Sequence, residues 1–484
     1  MSLRQKAIRG AMWSALEKWG AQLVSTAIFL LLARLLGVEA FGLVALANVF
    51  LAFMRIFLDQ GFAQALVQKE QLEPAHLDTA FWTSLLMGVL LVLAILAGAG
   101  VVANFYDQPE LAPIIRWMSI SFLFAGLSSV QSAILQRNMQ FKIFAARSLV
   151  ATIACGVAGI GAALMGLGVW SLVVKEIVFA STGSILLWST SGWMPGFRFS
   201  PKHFKELFSY GINILGLNFL NFFNLRSDDM LIGYFLGPVA LGYYTVAYRL
   251  LLIMLKLLTS VTNQVALPTF SRMQKDPERM RNAFYKVTQY TSLISFPTFI
   301  GMAILAPELV QCLFGEEWMP SVPVMRILAF SGVLQSIYQF DGTILLSTGK
   351  PAWRLGLQCL GVVCNITVFL FVVNWGIAAV AAGFVIGGYV RSPLSMLLVK
   401  KIIHINLVKY TSRFLPAIAS SGIMAGSILI MQYTLKDWIL NDALSLSLGI
   451  IFGILVYAFA LALISPKLIK EVRSYLSPKF ALSK

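Results

Sequence analysis

Charge is what this chain of 484 residues has least of. Asp, Glu, Lys and Arg together make up 12% of it, against about a quarter in an ordinary globular domain. Only three histidines occur, His76, His203 and His404, in separate loops and far apart in the sequence. A histidine-based metal site or catalytic triad therefore has nothing to build on. The four cysteines, Cys155, Cys312, Cys359 and Cys364, lie in or beside apolar runs without zinc spacing, and free Cys behaves there as a small buried hydrophobe. No metal or cofactor is expected. The TGKP at Thr348 lacks the upstream Gly and the following Ser or Thr of a P-loop, and no HExxH or GxSxG occurs. No loop is long enough to form a catalytic domain with paired carboxylates. The expectation is a protein that is not an enzyme.

What the chain does have is apolar residues: 58% of it, with a mean hydropathy of +0.80. Runs of at least ~18 apolar residues, each able to cross a ~30 Å hydrocarbon core, recur from end to end. No soluble domain could bury so much apolar surface. The expected spans are 12–36, 41–64, 79–105, 111–136, 142–165, 169–190, 208–235, 241–265, 287–313, 322–347, 353–374, 376–398, 412–433 and 444–465. The first is too long for a signal-peptide core and lacks a small-residue cleavage site, so it is kept as structure.

The net charge of +16 invites a nucleic-acid reading, and its distribution refutes it. Most Lys and Arg fall in alternate loops: Arg4, Lys6 and Arg9; Lys69; Arg137, Lys142 and Arg147; Arg198, Lys202 and Lys205; and so on to Lys467, Lys470, Arg473, Lys479 and Lys484. The opposite loops hold Lys436 beside Glu39, Asp107, Glu110, Glu316, Glu317, Asp437 and Asp442. This is the positive-inside pattern, with both termini cytoplasmic.

The chain also repeats itself. LGVEAFGLVALA from Leu36 returns as LGPVALGYYTVA from Leu236, with Gly37, Ala40, Gly42 and Ala47 matching Gly237, Ala240, Gly242 and Ala247. Pro113, Arg116 and Ser121 likewise match Pro323, Arg326 and Ser331. Collinear echoes at a nearly constant offset imply a duplicated six-helix unit. Six is even, so the copies are parallel repeats, a layout that places substrate between two rocking halves. The fold expected is an all-α polytopic membrane protein of about fourteen transmembrane helices. Two parallel six-helix repeats surround a central cavity, with two accessory helices outside them. Residues 1–206 form the first lobe, 207–402 the second, and 403–484 the accessory pair, which carries Gly449 and Gly453 in GxxxG spacing, and a basic tail.

Ionisable residues inside such spans are costly and point to function. Arg55 and Asp59 lie four apart and can pair, with Arg55 ~21 Å from the outer end of its helix. Arg249 and Lys256 share one helix face with no acidic neighbour within a turn. Asn213, Asn218, Asn221, Asn224 and Asp228 fall within an arc of ~140° that cannot face lipid. It reads as helix–helix bonding or as a sugar-lined wall. Arg226 and Asp229 lie off that stripe and can pair with each other. Lys175 and Glu176 point to different faces, Arg391 sits beside Pro393, and Asp341 is a candidate proton carrier.

ARLLGVEAFG at Ala33, MRIFLDQGFAQALV at Met54 and RSDDMLIGYFLGPVALGYYTVA at Arg226, with the FYDQPELAPIIR and FGEEWMPSVPVMR hairpins, resemble the bacterial polysaccharide transporter family. Its superfamily also holds multidrug and toxin extrusion antiporters and lipid II flippases. The resemblance covers essentially the whole chain and implies two six-helix lobes in a V around a cationic cavity. Lipid II flippases place arginines in the ARxLG phrase and in the second helix, which fall on Arg34 and Arg55 here. Their acidic residue shortly after the first motif is replaced by Leu43, which favours the branch exporting O-antigen, capsule or exopolysaccharide units.

The expectation is a flippase of the inner membrane for polyprenyl-pyrophosphate-linked oligosaccharide. Its partners would be lipid-linked glycan, membrane lipid and polysaccharide polymerase or export machinery, and no nucleic acid. Arg34, Arg55, Arg249, Lys256, Asn218, Asn221, Asn224 and Arg226 are the expected substrate contacts. Asp59, Asp228 and Asp341 are the candidates for coupling to H+ or Na+. The alternative is a drug–ion antiporter, whose organic cations would prefer carboxylates and aromatics to guanidiniums. The charge alternation is checked by reporter fusions: alkaline phosphatase, active only outside the cytoplasm, should be silent after Lys484 and active when inserted at Asp442.

Overall fold

The apolar runs fold as helices throughout the computed structural model, which describes residues 3–58, 61–69, 71–435 and 441–468 and shows no strand among them. Asp59, Lys436, Asp437, Lys470, Arg473, Lys479 and Lys484 lie outside the described residues. In chain order the α-helices are α1 (Leu3–Leu58), α2 (Phe62–Gln68), α3 (Pro74–Phe105), α4 (Leu111–Ser119), α5 (Ser121–Arg137), α6 (Phe141–Leu164), α7 (Trp170–Ser191) and α8 (Pro201–Arg272). There follow α9 (Pro277–Ile304), α10 (Ala306–Leu313), α11 (Val322–Ser347), α12 (Pro351–Val372), α13 (Ile377–Ile403), α14 (Leu407–Ser412), α15 (Leu415–Leu435) and α16 (Asp442–Ile464).

Eleven helices among the described residues are long and apolar enough to cross a membrane, or twelve if α9 and α10, bent by 74°, form one span. With α9 and α10 taken as one span, the difference from the expected fourteen lies in two helices that each cover two expected spans. Gly20–Leu58 has 39 residues and Leu215–Ser260 has 46. At 1.5 Å per residue these are about twice a ~30 Å hydrocarbon core. Each is broken once. Gly37 has φ 73°, ψ 177° and Gly237 has φ 81°, ψ 179°, a backbone essentially reserved for glycine. The two copies of the repeated phrase thus make the same break at the same position.

Contacts divide the chain into two compact units, Met1–Gly242 and Tyr243–Lys484. In the first, α6 packs on α7 and α1, α3 on α4 and α5, and α5 also on α7 and α2. The Arg137 guanidinium closes the α2 corner by donating to the Leu66 carbonyl at 3.0 Å and to the Lys69 carbonyl. The two phrase copies meet inside this unit. A Cβ on Gly42 would lie 1.8 Å from the Pro238 carbonyl oxygen, and one on Gly242 would lie 2.5 Å from that of Val38. Residues 42 and 38 exchange with 242 and 238, so the crossing has a local two-fold. It ties the chain as far as Gly242 to α1, whereas the sequence repeat turns over near residue 206.

In the second unit α11 packs on α9 and α13, α12 on α13, and α15 on α16 and α9. Its core joins Phe284, Tyr285, Phe340, Ile344 and Tyr410. Gly449 and Gly453 face neighbouring side chains: an added Cβ would come within 2.7 Å of Leu305 and 2.9 Å of Ile428.

The crossing makes a direct expectation. Gly42→Ala and Gly242→Ala each push a methyl into backbone atoms and should cost about 1–3 kcal/mol in the thermal unfolding of the purified protein. Gly98→Ala, with nothing within 4 Å, should be neutral or stabilising.

Candidate functional site

Two adjoining cavities in the first unit gather several of its intramembrane polar residues. One, of about 300 Å³, is lined by Asn48, Ala52, Arg55, Ser121, Glu176, Asn218, Asn221, Phe222 and Arg226, among others. The second, of about 360 Å³, shares Arg55, Ser121 and Glu176 and adds Ser84, Ser128, Ser129, Ser132 and Arg147. Helical spacing explains the set. Asn48, Ala52 and Arg55 stand at i, i+4 and i+7 on α1, and Ser121, Ser128 and Ser132 at i, i+7 and i+11 on α5.

The two guanidiniums of the first cavity are held differently. Arg226 donates to the Asp229 carboxylate at 2.8 Å, and that carboxylate is buried, so the pair expected from the i,i+3 spacing is tight. Arg55 lies 3.9 Å from Glu176, with its side chain 51% exposed, and stands 5.9 Å from the Phe122 ring centroid. A long, half-exposed ion pair of this kind is worth about 0–1 kcal/mol. Arg55 therefore keeps most of its five donors for a ligand, in a lining of two guanidiniums and one carboxylate. Amides from Asn48, Asn218 and Asn221 can donate to and accept from hydroxyls.

The expected partner of Arg55, Asp59, lies outside the described residues; among those described, α7 brings Glu176 within reach of Arg55. Arg34 is exposed and Asn224 half-buried, and neither lines these cavities. Asp228 is buried and accepts the Asp229 backbone N–H at 3.0 Å. The side chain of Asn213 is not among those described. Sequence reasoning missed Asn48 and the serines, although the i, i+7 spacing of Asn48 to Arg55 was readable. It also counted Arg147 with the basic loops, whereas Arg147 sits inside α6.

In the second unit Arg249 is half-buried and Lys256 exposed, and both have interaction partners. Arg391 donates to Asn365 Oδ1 at 2.6 Å. Asp341 is 1% exposed; its Oδ2 accepts from Ser395 Oγ at 3.0 Å and its Oδ1 has no partner among the described residues. An apolar cavity of about 450 Å³ lies among α9, α15 and α16, lined by Leu293, Pro297, Met302, Met424, Ile450 and Ile454, among others.

The histidines correct the sequence reading. His76 and His203, distant in sequence, stack with ring centroids 3.8 Å apart because the first turns of α3 and α8 meet. Glu73, His76 and His203 offer metal-ligand atoms within 4.8 Å of one another. Lys69 Nζ already stands 2.6 Å from His76 Nε2, where it opposes a further cation. Lys69 also pairs with Glu206. Hydrogen bonds first from Lys69 and then from His76 hold the Glu206 carboxyl down at about 2.

Removing either guanidinium tests the contrast between the pairs. Arg226→Ala strands the buried Asp229 carboxylate and should cost about 3–5 kcal/mol in thermal unfolding. Arg55→Ala should cost no more than about 1 kcal/mol.

The chain is similar to known proteins along most of its length. A sequence profile of the family described as "Polysaccharide biosynthesis protein" matches residues 31–323. The chain is 26% identical over 476 residues to the teichuronic acid biosynthesis protein TuaB of Bacillus subtilis, covering 96% of this chain and 97% of that one. It is 31% identical over 329 residues to the succinoglycan biosynthesis transport protein ExoT of Rhizobium meliloti, covering 67% and 66%. Its fold matches that of the lipid II flippase MurJ in an inward closed conformation, with a TM-score of 0.79 at 16% identity, over 95% of this chain and 100% of that one.

Proposed function

From the membership of this chain in the polysaccharide biosynthesis protein family, whose profile covers more than half of it, we propose that it is a flippase for polyprenyl-pyrophosphate-linked oligosaccharide. It would carry these units across the inner membrane for O-antigen, capsule or exopolysaccharide assembly. The observation that carries this reading is the first cavity: a loosely held guanidinium, Arg55, opposite a wall of amides. A pyrophosphate accepts short, charge-assisted bonds from a guanidinium, and it would displace Glu176 from a pair that is weak to begin with. The amides suit sugar hydroxyls. An organic cation would meet two guanidiniums there, which speaks against drug–ion antiport.

The rest of the reading follows from this. The basic loops and both termini face the cytoplasm, where such lipids are assembled. The two bent helices each cross twice and α9 with α10 makes one further span, which yields fourteen crossings, arranged as lobes 1–206 and 207–402 with accessory helices in 403–484. Alternating access of the two lobes moves the head group without covalent chemistry. Arg226, Asn218 and Asn221 join Arg55 at the head group. Arg34, Asn224, Arg249 and Lys256 serve later positions along the path. The apolar cavity beside α16 suits the hydrocarbon tail. Asp341, buried with one oxygen unpartnered, is the favoured carboxylate for ion coupling, ahead of Asp59 and Asp228.

Deleting the gene and extracting the lipids tests the proposal. Polyprenyl-pyrophosphate-linked oligosaccharide should accumulate, and wild-type protein should clear it. Arg55→Ala should clear it roughly tenfold or more slowly, the scale of one lost hydrogen bond to a charge. No accumulation would sink the flippase reading. Equal clearance by both proteins would remove Arg55 from the site.

A further inference from the structure

The second cavity of the first unit has a character of its own. Beyond the shared Arg55–Glu176 pair its walls carry hydroxyls, two phenyl rings, one more guanidinium and aliphatic side chains such as Leu58 and Leu187. Ser129 and Ser132 of α5 line it, and their hydroxyls bond to no other group among the described residues. Phe124 and Phe179 offer the apolar faces that the C–H side of a pyranose needs. Its volume of about 360 Å³ is that of about a dozen waters, ample for one sugar.

Arg147 is the unusual member. It is half-buried on α6, and no carboxylate lies within ion-pair distance of it among the described residues. Among the described residues its only protein bond is from Nε to the Gly183 carbonyl of α7 at 2.9 Å. The fork fits because residue 183 is glycine: a Cβ there would come 2.9 Å from Arg147 Nη2. A half-buried guanidinium in a chamber of hydroxyls calls for an anion, and its planar fork matches a carboxylate in two parallel bonds.

We propose that this chamber is the subsite for a carboxylate-bearing sugar of the transported unit, with Arg147 selecting the acidic sugar over its neutral counterpart. The proposal rests on the flippase reading, and it assigns the acidic sugar to a cavity adjoining the one that takes the pyrophosphate. Arg55, at their shared wall, serves the phosphates. Arg147, Ser129 and Ser132 serve the sugar.

The test uses the full-length protein in lipid nanodiscs, titrated with glucuronate, glucose and inorganic pyrophosphate. Binding is read as ligand-dependent thermal stabilisation. Glucuronate should bind about tenfold more tightly than glucose, the scale of one charge-assisted contact. Arg147→Gln should abolish that preference while leaving the pyrophosphate response intact. Arg55→Ala should do the reverse. Gly183→Ala, which displaces the flexible end of Arg147 without removing it, should also lose the preference, and Arg147→Lys should keep part of it. Should Arg147→Gln fail to fold, Gly183→Ala and Ser132→Ala carry the test. Equal binding of glucuronate and glucose by the wild type would overturn the proposal, as would a glucuronate preference that survives both Arg147→Gln and Gly183→Ala. A missing pyrophosphate response alongside a glucuronate preference would instead count against the flippase reading. If one anion site takes both probes, glucuronate and pyrophosphate will compete, and the separation of the two cavities fails.

Discussion

The first unit depends on a crossing of backbone against backbone. Gly42 lies against the Pro238 carbonyl and Gly242 against that of Val38, at distances that leave no room for a side chain. Each helix entering this crossing has just been broken at Gly37 or Gly237, so its direction there is set by glycine as well. Four glycines of one duplicated phrase thus decide where α1 and α8 bend and how closely they approach. Helices in lipid gain no hydrophobic drive from meeting each other, and close packing of small residues is what holds them. The walls that carry Asn48, Arg55, Asn218, Asn221 and Arg226 run from these two bent helices.

Around that frame the chain spends its few charges unequally. Arg226 is locked to the buried Asp229, an arrangement that costs desolvation and rewards good geometry. Arg55 and Glu176 are left loose and wet, and Arg147 has only a backbone carbonyl. A fully neutralised lining would be more stable and could capture nothing anionic. The unspent donors are where binding of an anion can be favourable, because they give up little to meet it.

Much of this was legible in the sequence because membrane folding is governed by strong local rules. Length and apolarity mark the helices, alternation of basic loops predicts their orientation, and the repeat at a nearly constant offset marks both breaks. The i,i+3 pair of Arg226 with Asp229 was readable for the same reason: helix geometry alone brings the two together. What local rules could not supply were contacts between helices. No helical spacing links Glu176 to Arg55, yet α7 brings this carboxylate within 3.9 Å of it. His76 and His203 seemed unrelated until the first turns of α3 and α8 stacked their rings. Arg147, counted as one more basic residue of the cytoplasmic end, faces a chamber that exists only where α5, α6 and α7 pack.

The sequence by itself determined that this is a helical membrane protein built on a repeat, because hydrocarbon demands long apolar helices and every polar departure from that pattern stands out. The tertiary structure decided which of those polar residues share a cavity, which cation is locked to a buried carboxylate, and which is left with donors to offer. Those outcomes depend on the rotation and spacing of helices about one another, and a period of 3.6 residues says which face a residue occupies without saying what that face meets.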